Sequence, residues 1–345
     1  MTPATSEFPK RAAILVVFAS LAFLAWQLRD FLLILVGSLL VAALLELLSE
    51  PLIRWCRLPR GIALVIAGLV VLVAIGGSAF LFGTRMNSEL EDVLKRTDTA
   101  LASIAGTLHQ SRLGQLALSH MGGELPSLPG LISNVLKLSV RFIAAFVIVI
   151  FAGIYFAAQP DLYRKGTSYL FPRQSRLVAK ETMDDIGRAL RLWLLGQIIT
   201  MLLIGVFSTI AVWLIGLPSP LALGAIAGIA EFVPYLGPIV ASIPAILVAM
   251  TKGFYPALWT IIAYAIIHQA EGNLIAPIIQ RRMVHLPPAL LLLSIVAISL
   301  VFGSVAIVFA APMSVIAFVA VKKLYIRESL GQPTTLPGEN DTEPI

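Results

Sequence analysis

Charge-free apolar stretches recur along this chain at lengths that the core of a water-soluble domain does not need. Residues 62 to 83 carry no charged side chain, and 138 to 158 carry only Arg141, near one end. About 20 residues of helix cross a hydrocarbon core ~30 Å thick. Backbone groups in lipid must pair within their own segment, so these runs predict membrane helices and not strands. A first span is expected at about 12 to 28, a turn at Arg29 and Asp30, and a second span at about 31 to 48. Further spans are expected at Gly61 to Gly83, at about 138 to 158, from Trp193 to Leu217, and at about 254 to 272.

The polar segments between these runs give the chain its sidedness. Arg54, Arg57 and Arg60 follow the second span, and Arg164, Lys165, Arg173, Arg176, Lys180, Arg188 and Arg191 fill the loop 159 to 192. Basic residues beside apolar runs mark cytoplasmic segments, and the number of spans between the two loops puts both on one side. Lys322, Lys323 and Arg327 place the C-terminus there too, and the tail from 326 to 345 is expected to be disordered. The insert 84 to 137 then lies on the far side. In it Leu90, Val93, Leu94, Leu101, Ile104 and Leu108 recur at helical spacing among charged residues, which predicts an amphipathic helix.

Lys10 and Arg11 before an apolar run could be taken for a cleaved leader, but the second run follows at Phe31 without a clear small-residue cleavage site, so a retained helical hairpin is expected. The chain thus divides into an N-terminal hairpin and basic turn (1–60), a pair of spans enclosing the insert (61–158), the basic loop (159–192), a C-terminal transport core (193–325) and the tail. The expected fold class is an all-α polytopic membrane protein with broken or re-entrant helices.

Composition narrows the function classes. Of 345 residues, 58% are hydrophobic and 13% charged, too few to cover a water-facing surface. The net charge of +6 is spread beside apolar runs and does not form a nucleic-acid patch, so the bilayer is the expected partner. Cys56 is the single cysteine, which rules out an intrachain disulfide and a cysteine metal cluster. There is no Gly-Lys dipeptide for a P-loop and no His-Glu-x-x-His, so any active transport by this chain alone is secondary. Neither a cofactor nor a resident metal is expected, and no enzymatic activity.

Two interruptions of the apolar pattern resemble one another: Glu231-Phe-Val-Pro-Tyr-Leu-Gly-Pro238 and Glu271-Gly-Asn-Leu-Ile-Ala-Pro277. Paired helix breaks in transporters free carbonyls and helix ends to bind solutes or ions. A glutamate at mid-depth costs roughly 3 kcal/mol to insert and usually faces a cavity or carries a proton, so Glu231 and Glu271 are the leading candidates for a proton or cation site. The alternative is that they cap broken helices. Pro234, Tyr235, Gly237, Pro238, Asn273 and Pro277 shape the breaks, Gln197 offers an amide, and His268, one turn before Glu271, is a candidate relay. Glu46 and Glu50 read as structural groups at the interface. Gly224 and Gly228 permit close helix contact, within the protomer or between copies. A hydrolase built from Ser78 and His268 is the outlying reading, and a passive pore or scaffold indifferent to both glutamates is another.

In order along the chain, Leu195-Gly-Gln197, Gly216-Leu-Pro218, the Glu231 to Pro238 element, Glu271-Gly-Asn273 with Pro277, His285-Leu-Pro287 and Pro312 resemble the AI-2E, or PerM-like, membrane proteins. Pro51 to Arg54 and Pro160 with Tyr163 extend the resemblance toward the N-terminus. The resemblance implies about seven or eight helical segments in a homo-oligomer of the bacterial inner membrane. It implies either export of a small polar solute such as autoinducer-2, for which Gln197, Asn273 and Gln280 would suit the path, or sodium/proton-type antiport at the glutamates. It fixes neither the solute, the coupling ion, nor the subunit number.

Overall fold

In the computed structural model, residues 27–73, 95, 96, 99, 139–275, 277 and 287–338 are described, with 139–143 as backbone only. The expected first span, the insert's amphipathic helix, Ser78, Gln280 and His285 lie outside them. Every described element is helical. α1 (Arg29–Cys56) and α2 (Arg60–Val73) are joined by a short turn in which Arg57 closes α1 in the left-handed region at φ +52°. α1 runs on through Pro51 into the polar stretch expected to end it, and its residues Arg29 and Asp30 open the helix where a turn was expected. α3 (Ser139–Ala158) meets α4 (Pro160–Ser168) at 91° across Gln159, where Pro160 takes the first helical turn and needs no amide partner.

α5 (Arg176–Ile215) is the central strut, 40 residues and so about 60 Å long. Only its second half is apolar. The segment Arg176 to Leu192, expected as loop, is therefore helix, and its charges find partners on neighbouring elements. Arg164 of α4 pairs with Asp184 at 2.9 Å, and Lys323 pairs with Glu181 at 2.9 Å. Glu46 of α1 accepts from both Arg191 of α5 and Arg60 of α2 (3.1 Å for the latter), while Arg60 also reaches the Ala157 carbonyl of α3 at 3.3 Å. Glu46 therefore ties α1, α2 and α5 together, the structural role expected of it. The ion pairs also gather the basic segments expected on one side of the membrane at one end of the bundle.

α6 (Pro220–Ala230) and α7 (Leu236–Met250) follow α5, and at about 16 and 22 Å neither crosses a bilayer. They form a hairpin. Lys252, just past α7, donates to the carbonyl of Gly216, the left-handed cap that ends α5, at 2.6 Å, so the chain leaves and returns at one level. α8 (Phe254–Ala270) then runs beside α5 and α7, and Glu271–Ile275 continues it as π-helix, a departure from regular geometry at the expected second break.

α9 (Pro288–Phe302) and α10 (Ile307–Ala320) turn back on each other at Gly303, whose φ of +90° suits glycine. Pro312 lies buried inside α10 without interrupting it. α10 continues as π-helix over Val321–Ser329. Of the tail expected to be disordered, residues 326–338 are described and return to α5: Leu336 is buried, Lys322 donates to the Thr335 carbonyl at 3.1 Å, and Gly338 lies against Arg188 and Leu192.

Packing follows from small residues. Ile204 and Val212 of α5 share a buried cluster with Ala222, Leu223 and Ala227 of α6, Ala241, Ala245 and Val248 of α7, and Tyr264 of α8. Gly205 of α5 faces Gly224 and Gly228 of α6. A Cβ on Gly228 would lie 2.7 Å from the Met201 carbonyl, and one on Gly224 equally close to that of Gly205. The Gly224/Gly228 face is thus spent on contact inside the protomer. Leu190, Trp193 and Leu194 at the middle of α5 pack instead with Leu40 and Ala43 of α1 and Val315 and Val319 of α10. α5 is shared by both clusters and fixes the hairpin against the rest of the bundle.

Candidate functional site

The α6–α7 hairpin reaches along α5 to Gln197, 19 residues and some 28 Å of helix from Gly216. There the buried Gln197 amide donates to the Glu231 carbonyl at 2.6 Å. Phe232 packs edge-on to Trp193, ring centroids 5.9 Å apart. Tyr235 adopts φ +67°, uncommon for a residue with a side chain, and Gly237 donates to the Val233 carbonyl at 2.8 Å. A Cβ on Gly237 would run into the Ala230 carbonyl, so only glycine closes this tip. Pro238 falls in the first turn of α7, where an amide has no intrahelical partner. The motif Glu231 to Pro238 is thus the tip of a hairpin held to α5 through Gln197 and Trp193 and closed on itself at Gly237.

α8 brings the second interruption to the first. It starts at the Gly216–Lys252 end and delivers His268 and Glu271 to the tip, where Glu231, His268 and Glu271 each offer one donor atom within 4.8 Å of the others. Glu231 is 1% exposed and its Oε2 has no hydrogen-bond partner. His268 Nδ1 lies 3.4 Å from Glu271 Oε2, and its Nε2 is buried without a partner. Among the described residues no lysine or arginine pairs with either carboxylate. Two adjacent carboxylates that both ionise repel one another, the more so with Glu231 buried, so this arrangement favours a shared proton or a bound cation.

Of the residues expected to matter, the fold joins Glu231, Glu271 and His268 at one point, with Gln197, Pro234, Tyr235, Gly237 and Pro238 around it. Asn273 and Pro277 are exposed and make no described contact with the cluster. Sequence reasoning missed Tyr264, which is 2% exposed, stands edge-on to His268 at 6.1 Å and lies beside the buried Ser208 of α5. The spacing Tyr264, His268, Glu271 puts all three on one helix face and could have drawn attention to it.

An all-helical bundle with paired interruptions at a cluster of two carboxylates and an imidazole, Glu231 of it buried, defines a polytopic membrane transporter. The chain belongs to the AI-2E family transporter family, whose pattern it matches over residues 13–326. It is 30% identical over 190 residues to a Bacillus subtilis protein named as a transport protein, YrrI, a match covering 55% of this chain and 54% of that one. Another Bacillus subtilis relative so named, YueF, is 22% identical over 80% of both chains, and one from Thermotoga maritima is 24% identical over 81% of this chain and 86% of its own.

Proposed function

We propose that the protein is a cation/proton exchanger whose site is the Glu231–His268–Glu271 cluster. The observation that carries this reading is the convergence of two carboxylates and an imidazole from separate helix breaks, with buried donor atoms left without partners. Exchange then follows from charge: a cation and a proton compete for the same carboxylate pair, so binding one expels the other. The hairpin tip supplies the alternation. It is held by the Gln197 amide, the Trp193–Phe232 contact and the glycine contact at 237, each of which can be made or broken without unwinding a full span.

Export of a small polar solute such as autoinducer-2 has less support. Gln197, the amide best placed to meet a solute, is already committed to the Glu231 carbonyl, and Asn273 is exposed. A homo-oligomer in the bacterial inner membrane, with both termini cytoplasmic, completes the proposal.

The test is a pulse of sodium, potassium or a divalent cation such as cobalt(II) applied to proteoliposomes holding a pH dye. Wild type is expected to move protons in response, and Glu231→Gln and Glu271→Gln to abolish the response. Silence from correctly inserted wild type for every ion pulsed overturns the exchange reading and leaves labelled-solute efflux as the assay that decides.

A further inference from the structure

The exchange reading names a cation without its class, and the donor set supplies one. We infer that the Glu231–His268–Glu271 cluster takes a divalent transition-metal ion. The inference rests on the cation-site reading above. Its first support is ligand chemistry. Two carboxylates and one imidazole nitrogen within 4.8 Å of one another form a mixed oxygen and nitrogen set. Imidazole suits zinc, copper, iron and nickel, whereas magnesium and calcium prefer carboxylate, carbonyl and water oxygens.

The second support is charge. A divalent ion neutralises both carboxylates at once, while a monovalent ion does so only if one carboxyl keeps its proton or else leaves one negative charge in a site whose central side chain is 1% exposed. Burying that residual charge is expensive, and no described lysine or arginine pairs with either glutamate to offset it. The third is geometric readiness. Glu231 Oε2 and His268 Nε2 are buried and have no hydrogen-bond partner, so a lone pair on Oε2, and on Nε2 when Nδ1 holds the ring proton, is open to a metal ion. Donor atoms around a four-coordinate metal at about 2.0–2.2 Å are separated by roughly 3.5 Å, so modest side-chain movement closes the set. Three protein ligands leave the remaining positions to water, as a site that must release its ion requires.

The surrounding residues fit this use. Glu231 is anchored by the Gln197 hydrogen bond to its backbone carbonyl, so its carboxylate faces Glu271 and not the anchor, and Tyr264 stands edge-on to His268. Ligands come from the hairpin tip on one side and α8 on the other, so metal binding would draw the two interruptions together.

The probe is cobalt(II), whose visible bands report nitrogen and oxygen ligation, titrated into the purified full-length protein with its affinity tag removed and with Cys56→Ser to exclude the exposed thiol. One cobalt per chain is expected, displaced by stoichiometric zinc but not by a large excess of magnesium or sodium. E231Q, H268Q and E271Q are each expected to weaken binding more than about tenfold, since even outer-shell changes at metal sites cost that much. Monodisperse elution of each variant guards against misfolding. Absence of cobalt bands in wild type, or bands unaffected by H268Q, overturns the inference whatever the variants' stability. Sodium-driven proton movement without cobalt binding would leave the exchange reading standing and remove this one. Cobalt binding lost in the variants, with no proton movement in any pulse, would establish the metal site and remove exchange.

Discussion

Single atoms decide most at the hairpin tip. Gly237 sits where any side chain meets the Ala230 carbonyl, a backbone atom that cannot rotate away. Gly237→Ala is expected to destabilise the detergent-solubilised protein by about 1–3 kcal/mol, the usual cost of forcing a group into a filled space. A thermal unfolding midpoint unchanged from wild type would contradict that placement. Gln197→Ala removes the donor to the Glu231 carbonyl and leaves a buried carbonyl unsatisfied, for roughly 1–3 kcal/mol. Exchange should fall in that variant even when it is assayed well below its melting temperature, because the tip that carries Glu231 has lost its anchor. Gln197→Glu, which keeps the shape but sets an acceptor against a carbonyl, should be no better.

Helices set what these residues can reach. The break at Glu231 to Pro238 was legible because a glutamate, two prolines and a glycine interrupt an otherwise apolar run. The direction of the chain after the break was not. An apolar pattern reads the same for a hairpin and for two short spans, and the answer lay in the Lys252 bond to Gly216 and in the Gly205, Gly224 and Gly228 contacts. The convergence of Glu231 with Glu271 and His268 is a consequence of that hairpin, which is why sequence could name the three residues but not join them. Tyr264 went unnoticed because a tyrosine in an apolar helix carries no charge signal. The first half of α5 was misjudged for the opposite reason: its charges suggested a loop, yet partners on α1, α4 and the post-α10 helix let them sit on a helix surface. Gly224→Leu should therefore separate α5 from α6 and lower stability by more than Gly237→Ala does. An equal or smaller loss of melting temperature would show that the α5–α6 contact is looser than these distances require.

For the whole molecule, the ion pairs at Glu46, Asp184 and Lys323 collect the polar ends of α1, α4, α5 and α10 on one side, while Gly216 and Lys252 lie at the other end of α5's apolar half. Membrane-impermeant maleimide should consequently label the native Cys56 and an introduced Lys322→Cys from the same side of the membrane. Lys252→Cys, in a Cys56→Ser background, should label only from the opposite side. Labelling of all three from one side would contradict the bundle.

The central claim is that Glu231 and Glu271 are halves of one site. Its most direct test is the initial rate of cation-driven proton movement in proteoliposomes for wild type, Glu231→Gln, Glu271→Gln and the double variant, at matched insertion. Either single change should abolish exchange, and the double should be no slower than the singles, since residues acting as a unit are not additive. A single variant that retains half or more of the wild-type rate would contradict the claim.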